Sequence, residues 1–196
     1  MAAAKRFEER KCRYFRKPGK ANTSDVLDAS AARAAELGIG AVIVPSVSGR
    51  TALAAREAFG KGERNNPVTP VAGFQGPDIQ EMGTDARKDL ESAGVRVFTG
   101  QHAFGGVGRA VRNKLGTYQV DEIMAYTLRT FGQGTKVAVE VALMAADAGL
   151  VRTDEDVIAL GGTYAGADTA LVIGPANSAR FFDLKVREVI CKPRNF

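Results

Sequence analysis

Three short stretches of this 196-residue chain carry one chemical device. Each places glycine just ahead of a helix and a cation in its first turn: Ser46-Val47-Ser48-Gly49-Arg50-Thr51, Gly105-Gly106-Val107-Gly108-Arg109 and Gly132-Gln133-Gly134-Thr135-Lys136. A helix N-terminus has free N–H groups and partial positive charge, so a cation there opposes the dipole. The arrangement becomes favourable when an anion sits between the cation and the backbone donors. Glycine lets the backbone come close, and the hydroxyls of Ser46, Ser48 and Thr51 add donors. The first stretch directly follows an apolar strand, the context of a phosphate loop. The other two have plainer readings beside this one. Arg109 can be a solvated residue on a glycine-rich turn, and Lys136 can pair with Glu140 one turn on.

Gly161-Gly162-Thr163-Tyr164-Ala165-Gly166-Ala167-Asp168 is a fourth glycine cluster, either a loose hairpin or a ligand loop at a strand's carboxyl end. His102, the only histidine, stands in Thr99-Gly100-Gln101-His102 and reads as a loop residue or a catalyst. The carboxylates form no acid–base pair by spacing. Gly-x-Ser-x-Gly, a complete Walker loop and His-Glu-x-x-His are all missing. Cys12 and Cys191 lie too far from other ligands for a zinc ribbon, and Cys191 reads as a core residue. No metal is expected.

The elements that position these residues follow from periodicity. A helix is predicted from about Val26 to Leu37, strands at 41–44, 68–72 and 95–98, and helices from Arg50 through Ala58 and over 78–93. Helices over 107–114, 120–131 and 135–148 come next, then strands at 157–160, 169–173 and 186–191. Strands alternating with helices argue for a parallel sheet covered on both faces. Only the glycine-rich span 161–168 separates two late strands, too little for a parallel crossover, so these two should be antiparallel.

Bulk properties set limits on function. A chain this long buries roughly 70% of its unfolded surface without staples. The net charge of +5 is concentrated: residues 1–20 hold eight Lys and Arg against Glu8 and Glu9, and the remainder is near neutral. The expected organisation is a basic arm over 1–20 and a single α/β ligand-binding domain over 21–196. The arm reads as a solvated extension first. Docking on a partner or nucleic acid is a minor reading, because no basic stripe continues into the body. The opening residues lack a signal-peptide stretch, and no apolar run approaches the roughly 18 residues of a membrane span, so a cytoplasmic protein is expected. A homo-oligomer is compatible with all of this.

At Ala41-Val42-Ile43-Val44-Pro45-Ser46-Val47-Ser48-Gly49-Arg50-Thr51-Ala52 the chain resembles the C-terminal domain of pyruvate kinase. From about Tyr14 to Arg194 it resembles stand-alone proteins of that fold, known chiefly from archaea. The resembling stretches include Arg129-Thr130-Phe131-Gly132-Gln133-Gly134, residues 136–150 and Gly166-Ala167-Asp168-Thr169-Ala170. Pro175-Ala176-Asn177-Ser178 with Phe181-Phe182-Asp183-Leu184 also fits. The resemblance implies a three-layer α/β/α sandwich whose mixed five-stranded sheet has order 3-2-1-4-5 with the last strand antiparallel. It also implies bound flavin mononucleotide (FMN), with its phosphate in the loop Ser46, Val47, Ser48, Gly49, Arg50 and Thr51. Gly73, Phe74, Thr99, Gly100 and His102 would line the rest of the crevice with Gly161, Gly162, Thr163, Gly166 and Asp168. Gly134 and Lys136 complete the candidate set, from the third glycine stretch. Phe74, His102 or Tyr164 would lie against the flavin ring. Three functions compete: a flavin-binding protein or flavin-dependent oxidoreductase; a non-catalytic sensor of a phosphorylated metabolite; and a protein docking through its basic arm. The catalytic barrel of pyruvate kinase, typically about 250 residues, is absent.

Overall fold

The computed structural model describes residues 6–60 and 64–196; the first five residues of the basic arm, Lys5 among them, lie outside the described residues. Short apolar runs make the central strands. β2 (Ala41–Pro45), β5 (Val157–Gly161) and β6 (Thr169–Gly174) are buried along almost their whole length. Successive side chains of a strand point to opposite faces, and two cores result. Val42 and Val44 of β2 face one core with α1 (Thr23–Leu37), α2 (Arg50–Phe59) and Leu90 of α3 (Thr84–Ser92). Ala41 and Ile43 face the other, with Ala125 of α5 (Val120–Arg129) and most of α6 (Gln133–Asp147). Helices therefore cover both faces of the sheet. Complete burial of each Val, Ile or Leu stabilises by about 1.5–3 kcal/mol.

The remaining strands are β1 (Arg13–Phe15), β3 (Arg64–Pro70), β4 (Phe98–Gly100) and β7 (Lys185–Pro193), and α4 spans Val107–Leu115. The sheet runs β1-β7-β6-β5-β2-β3-β4. It contains seven strands, not the expected five. Read from β4 to β6 it has the expected 3-2-1-4-5 order, with β6 antiparallel to β5. β7 extends it antiparallel to β6, and β1 closes the edge parallel to β7, with Arg13 opposite Cys191. β6 alone runs against the others. Two strands were missing from the count because the five-strand order leaves out 186–191, and because Arg13-Tyr14-Phe15 reads as charged arm. Of those three residues only Phe15 is buried, so backbone pairing with β7 holds them, not an apolar pattern.

Three other boundaries moved for local reasons. α3 begins at Thr84 rather than residue 78, because Pro77, Asp78 (φ 60°) and Gly83 break the helix before it. Val95 is not in β4. Its N–H bonds the Leu90 carbonyl at 2.9 Å while Gly94, at φ 76°, bonds Glu91, the 6→1 and 5→2 pair of a Schellman ending. β3 starts four residues early and runs through Pro67. Arg64 and Val68 bond toward β2, so the missing N–H of Pro67 faces the other side, before β4 begins pairing at Val68.

A bidentate pair ties the first helix to β7, the strand it packs against. Arg33 of α1 donates to both oxygens of Glu188 on β7, at 2.9 and 2.6 Å. That contact holds the Glu188 carboxyl below its usual range. No helix among the described residues is long and apolar enough to cross a membrane.

Candidate functional site

β2 and β5 are neighbours, so the loops that leave their carboxyl ends flank one crevice. A cleft of about 870 Å³ opens there, a volume typical of small-molecule sites. The loop 46–51 forms one wall through Ser46, Val47, Ser48, Arg50 and Thr51. Gly49 sits at φ 80°, a turn that most side chains resist. Space is not what demands glycine there, since an added Cβ would meet Ala86 and Leu90 at an ordinary 3.5 Å. No side chain caps α2. The N–H groups of its first turn are thus free for a ligand at its amino end. Arg50 is exposed and has no acidic partner among the described residues.

On the opposite wall Glu140 belongs to a charged cluster whose other members, Lys136 and Arg109, do not line the cleft. Lys136 and Glu140 form a short, buried ion pair, the pairing that their spacing allowed. The second Glu140 oxygen accepts the Phe104 N–H at 3.1 Å, and the Lys136 ammonium lies 5.7 Å from the Phe104 ring centre. Glu140 thereby fixes the turn that carries His102. Burial lowers the Lys136 pKa, against the pull of Glu140. Burial likewise lowers that of His102, which Glu140 opposes and Lys136 and Arg109 reinforce. His102 stacks on Phe74 with ring centres 4.4 Å apart, and the Arg109 guanidinium lies 4.6 Å from the centre of the Phe74 ring. The second glycine stretch therefore presents its cation to an aromatic ring.

Of the remaining candidates, Gly162 and Gly166 line the cleft together with Phe74, His102 and Tyr164. Tyr164 stands at φ 65° with a fully exposed side chain. Gly73 and Gly100 lie one and two residues from lining positions, and Thr99 is engaged by Arg87 and Gln80. Thr163 is in the rim loop without lining the cleft. Gly134 and Gly161 make a close backbone contact between α6 and β5: a Cβ on Gly161 would fall 1.9 Å from the Gly134 carbonyl oxygen. Asp168 is completely buried and does not line the cleft. Its carboxylate accepts the N–H groups of Gly19 (2.8 Å) and Thr163 (3.1 Å) and the Thr169 hydroxyl (2.9 Å).

Sequence reasoning missed several lining residues. Lys20 and Thr23 reach the cleft because Asp168 holds Gly19 and because Thr23 Oγ1 accepts the Ala167 N–H at 3.0 Å. Glu140 could have been found as a carboxylate set within the apolar stretch from Val137 to Ala146; Thr69 and Glu81 carried no signal. Three buried polar atoms of lining residues have no partner: Thr69 Oγ1, Glu81 Oε1 and His102 Nδ1. Among the described residues no cluster of His, Cys, Asp and Glu could hold a metal ion. No protein-family model matches the chain.

Proposed function

We propose that the cleft binds a phosphate-bearing small molecule, with FMN as the ligand. The observation that carries this reading is the uncapped amino end of α2, where Ser48, Thr51 and the unpaired Arg50 open onto an 870 Å³ cleft. Free N–H groups, hydroxyls and a guanidinium suit a phosphate dianion. The residues present also fit the rest of a flavin. Val47, Val137 and Met144 supply apolar surface, and the three unpartnered polar atoms match a ring with a polar edge. A bound flavin would supply electron transfer; the chain's own part is to orient it and to shape its surroundings. Catalysis is not part of the proposal.

A second reading, a non-catalytic sensor of a phosphorylated metabolite, draws on Phe74. His102 and Arg109 already pack against its ring, which leaves less aromatic face for a flavin. An absorbance spectrum and mass analysis of small molecules released by heating freshly purified protein separate the two. Released FMN supports the first reading. Colourless protein that ignores added FMN at micromolar concentration but is stabilised by sugar phosphates supports the second.

A further inference from the structure

Folded proteins rarely leave buried polar atoms without partners, because each then forfeits its hydrogen bonds to water with nothing in return. Three such side-chain atoms belong to residues lining this cleft. They come from three separate segments. Thr69 lies near the carboxyl end of β3 and is completely buried. Glu81 lies in the loop before α3, and His102 in the turn after β4. The polar groups near them are already engaged elsewhere. Thr99, paired with Thr69 across the β3–β4 ladder, has its hydroxyl occupied by Arg87 and Gln80. Glu140, on the facing helix, has both oxygens engaged. Glu81 has no ion-pair partner, although a carboxylate oxygen sheltered from water calls for a donor.

We infer that Thr69, Glu81 and His102 form a second recognition element, which reads the end of the ligand remote from its phosphate through hydrogen bonds. The inference rests on the proposed phosphate-ligand reading for the cleft and adds the chemistry of the other end. Glu81 accepts only, so it selects a ligand N–H or O–H. Thr69 can donate or accept, and His102, whose protonated form burial disfavours, presents a neutral Nδ1 of either role. The class of ligand is a phosphate ester whose far end carries a donor flanked by groups that accept or donate. The imide edge of a flavin and the hydroxyls of a sugar phosphate share that chemistry.

Titration calorimetry with three probes tests the inference and separates the sources: FMN, FMN methylated at N3, and ribose 5-phosphate. If Glu81 reads an imide N–H, N3-methylation weakens binding to the wild-type protein about tenfold or more, and Glu81→Ala binds both flavins equally. If it reads sugar hydroxyls, Glu81→Ala weakens ribose 5-phosphate by a similar factor and methylation has no special effect. An equal loss on methylation in both proteins, with ribose 5-phosphate unchanged by Glu81→Ala, overturns the inference. Thermal denaturation of the ligand-free protein gives a readout that needs no ligand. Atoms reserved for a ligand can be removed without loss, so Thr69→Val and Glu81→Met should leave Tm unchanged or raise it. A drop of more than about 5 °C in both, roughly 1–2 kcal/mol at this chain length, marks them as structural and overturns the inference. Should none of the probes bind, the phosphate-ligand reading fails and the inference that rests on it falls too, whereas binding of FMN with an equal loss on methylation in both proteins defeats the inference alone.

Discussion

Replacing Asp168 should separate its role in the fold from any role in charge. Its buried carboxylate gathers Gly19 N–H, Thr163 N–H and the Thr169 hydroxyl. Asp168→Asn keeps most of this. The amide oxygen can occupy the Oδ2 position and accept both N–H groups, while the amide nitrogen faces Thr169, whose hydroxyl rotates to accept. Only the charge-assisted part of the bonds is lost, about 1–2 kcal/mol. Asp168→Ala leaves two backbone donors and one hydroxyl unpaired. At about 1–3 kcal/mol each, with partial relaxation, the cost is about 4 kcal/mol. At this chain length that lowers Tm by roughly 8–16 °C, against roughly 2–8 °C for the asparagine. Gly19 precedes Lys20, which lines the cleft, so the alanine variant should also weaken phosphate-ligand binding without any lost contact to the ligand. Urea denaturation of both variants, with hydrogen exchange at Gly19 and Thr163, measures the effect. Equal stability of the two variants, or unchanged exchange at Gly19 in the alanine form, refutes the reasoning.

Other expectations follow from separate contacts. Arg50→Ala with Ser48→Ala should weaken ligand binding by about 2–4 kcal/mol, given about 1.5–3 for each charged hydrogen bond; unchanged affinity by calorimetry would move the phosphate elsewhere. Gly161→Ala forces a Cβ to within 1.9 Å of the Gly134 carbonyl oxygen, and should destabilise by about 3 kcal/mol or more through backbone displacement, read from the urea midpoint. Arg33→Met strands Glu188, whose two oxygens both bond the guanidinium, and should cost about 2–3 kcal/mol, with much of the loss recovered in the double variant with Glu188→Gln. Acid should destabilise the protein partly through His102. Its pKa lies below the ordinary value near 6.5, mainly because of burial, so the unfolded chain binds the proton first. Stability then falls as pH drops below about 6.5 toward the lowered folded value. Urea midpoints at pH 7.5 and 5.5 should differ less in His102→Asn than in the wild type.

The parts of this fold that were legible are those set by local chemistry. Ala41 to Val44 is a continuous apolar run ending in Ser-Val-Ser-Gly-Arg, so strand, loop and helix could be placed almost to the residue. The short 161–168 connection required an antiparallel partner, and β6 is one. What stayed hidden depends on distant partners. Arg13-Tyr14-Phe15 becomes a strand only because β7 offers it an edge. Glu81 and Thr69 look like ordinary polar residues in the sequence; that their atoms lack partners is a property of the folded cleft. Lys20 belongs to a run of cations that differ in the chain only by position, and a buried aspartate nearly 150 residues later selects it.

The glycine-rich stretches show why composition alone divides poorly into binding and packing. Gly49 supplies a backbone angle at the helix end facing the cleft, and Val47 and Arg50 stay free beside it. Gly134 and Gly161 instead remove two side chains where α6 meets β5, a contact the protein needs whatever the cleft holds. Gly166 serves packing as well. An added Cβ there would lie 2.4 Å from Thr23 Oγ1 and 2.7 Å from the Lys20 Cα. The rim loop and the start of α1 are therefore one packed unit, fastened again by Asp168 and by the Ala167–Thr23 bond. A change at Gly166 should reach the ligand through Lys20 and Thr23, whereas a change at Gly49 should reach it through the amino end of α2. Gly166→Ala and Gly49→Ala make that distinction measurable. If both weaken binding, only the first should also speed amide exchange at Gly19 and Ala167. Matching exchange patterns would mean that the rim loop and the first helix are not coupled as this packing requires.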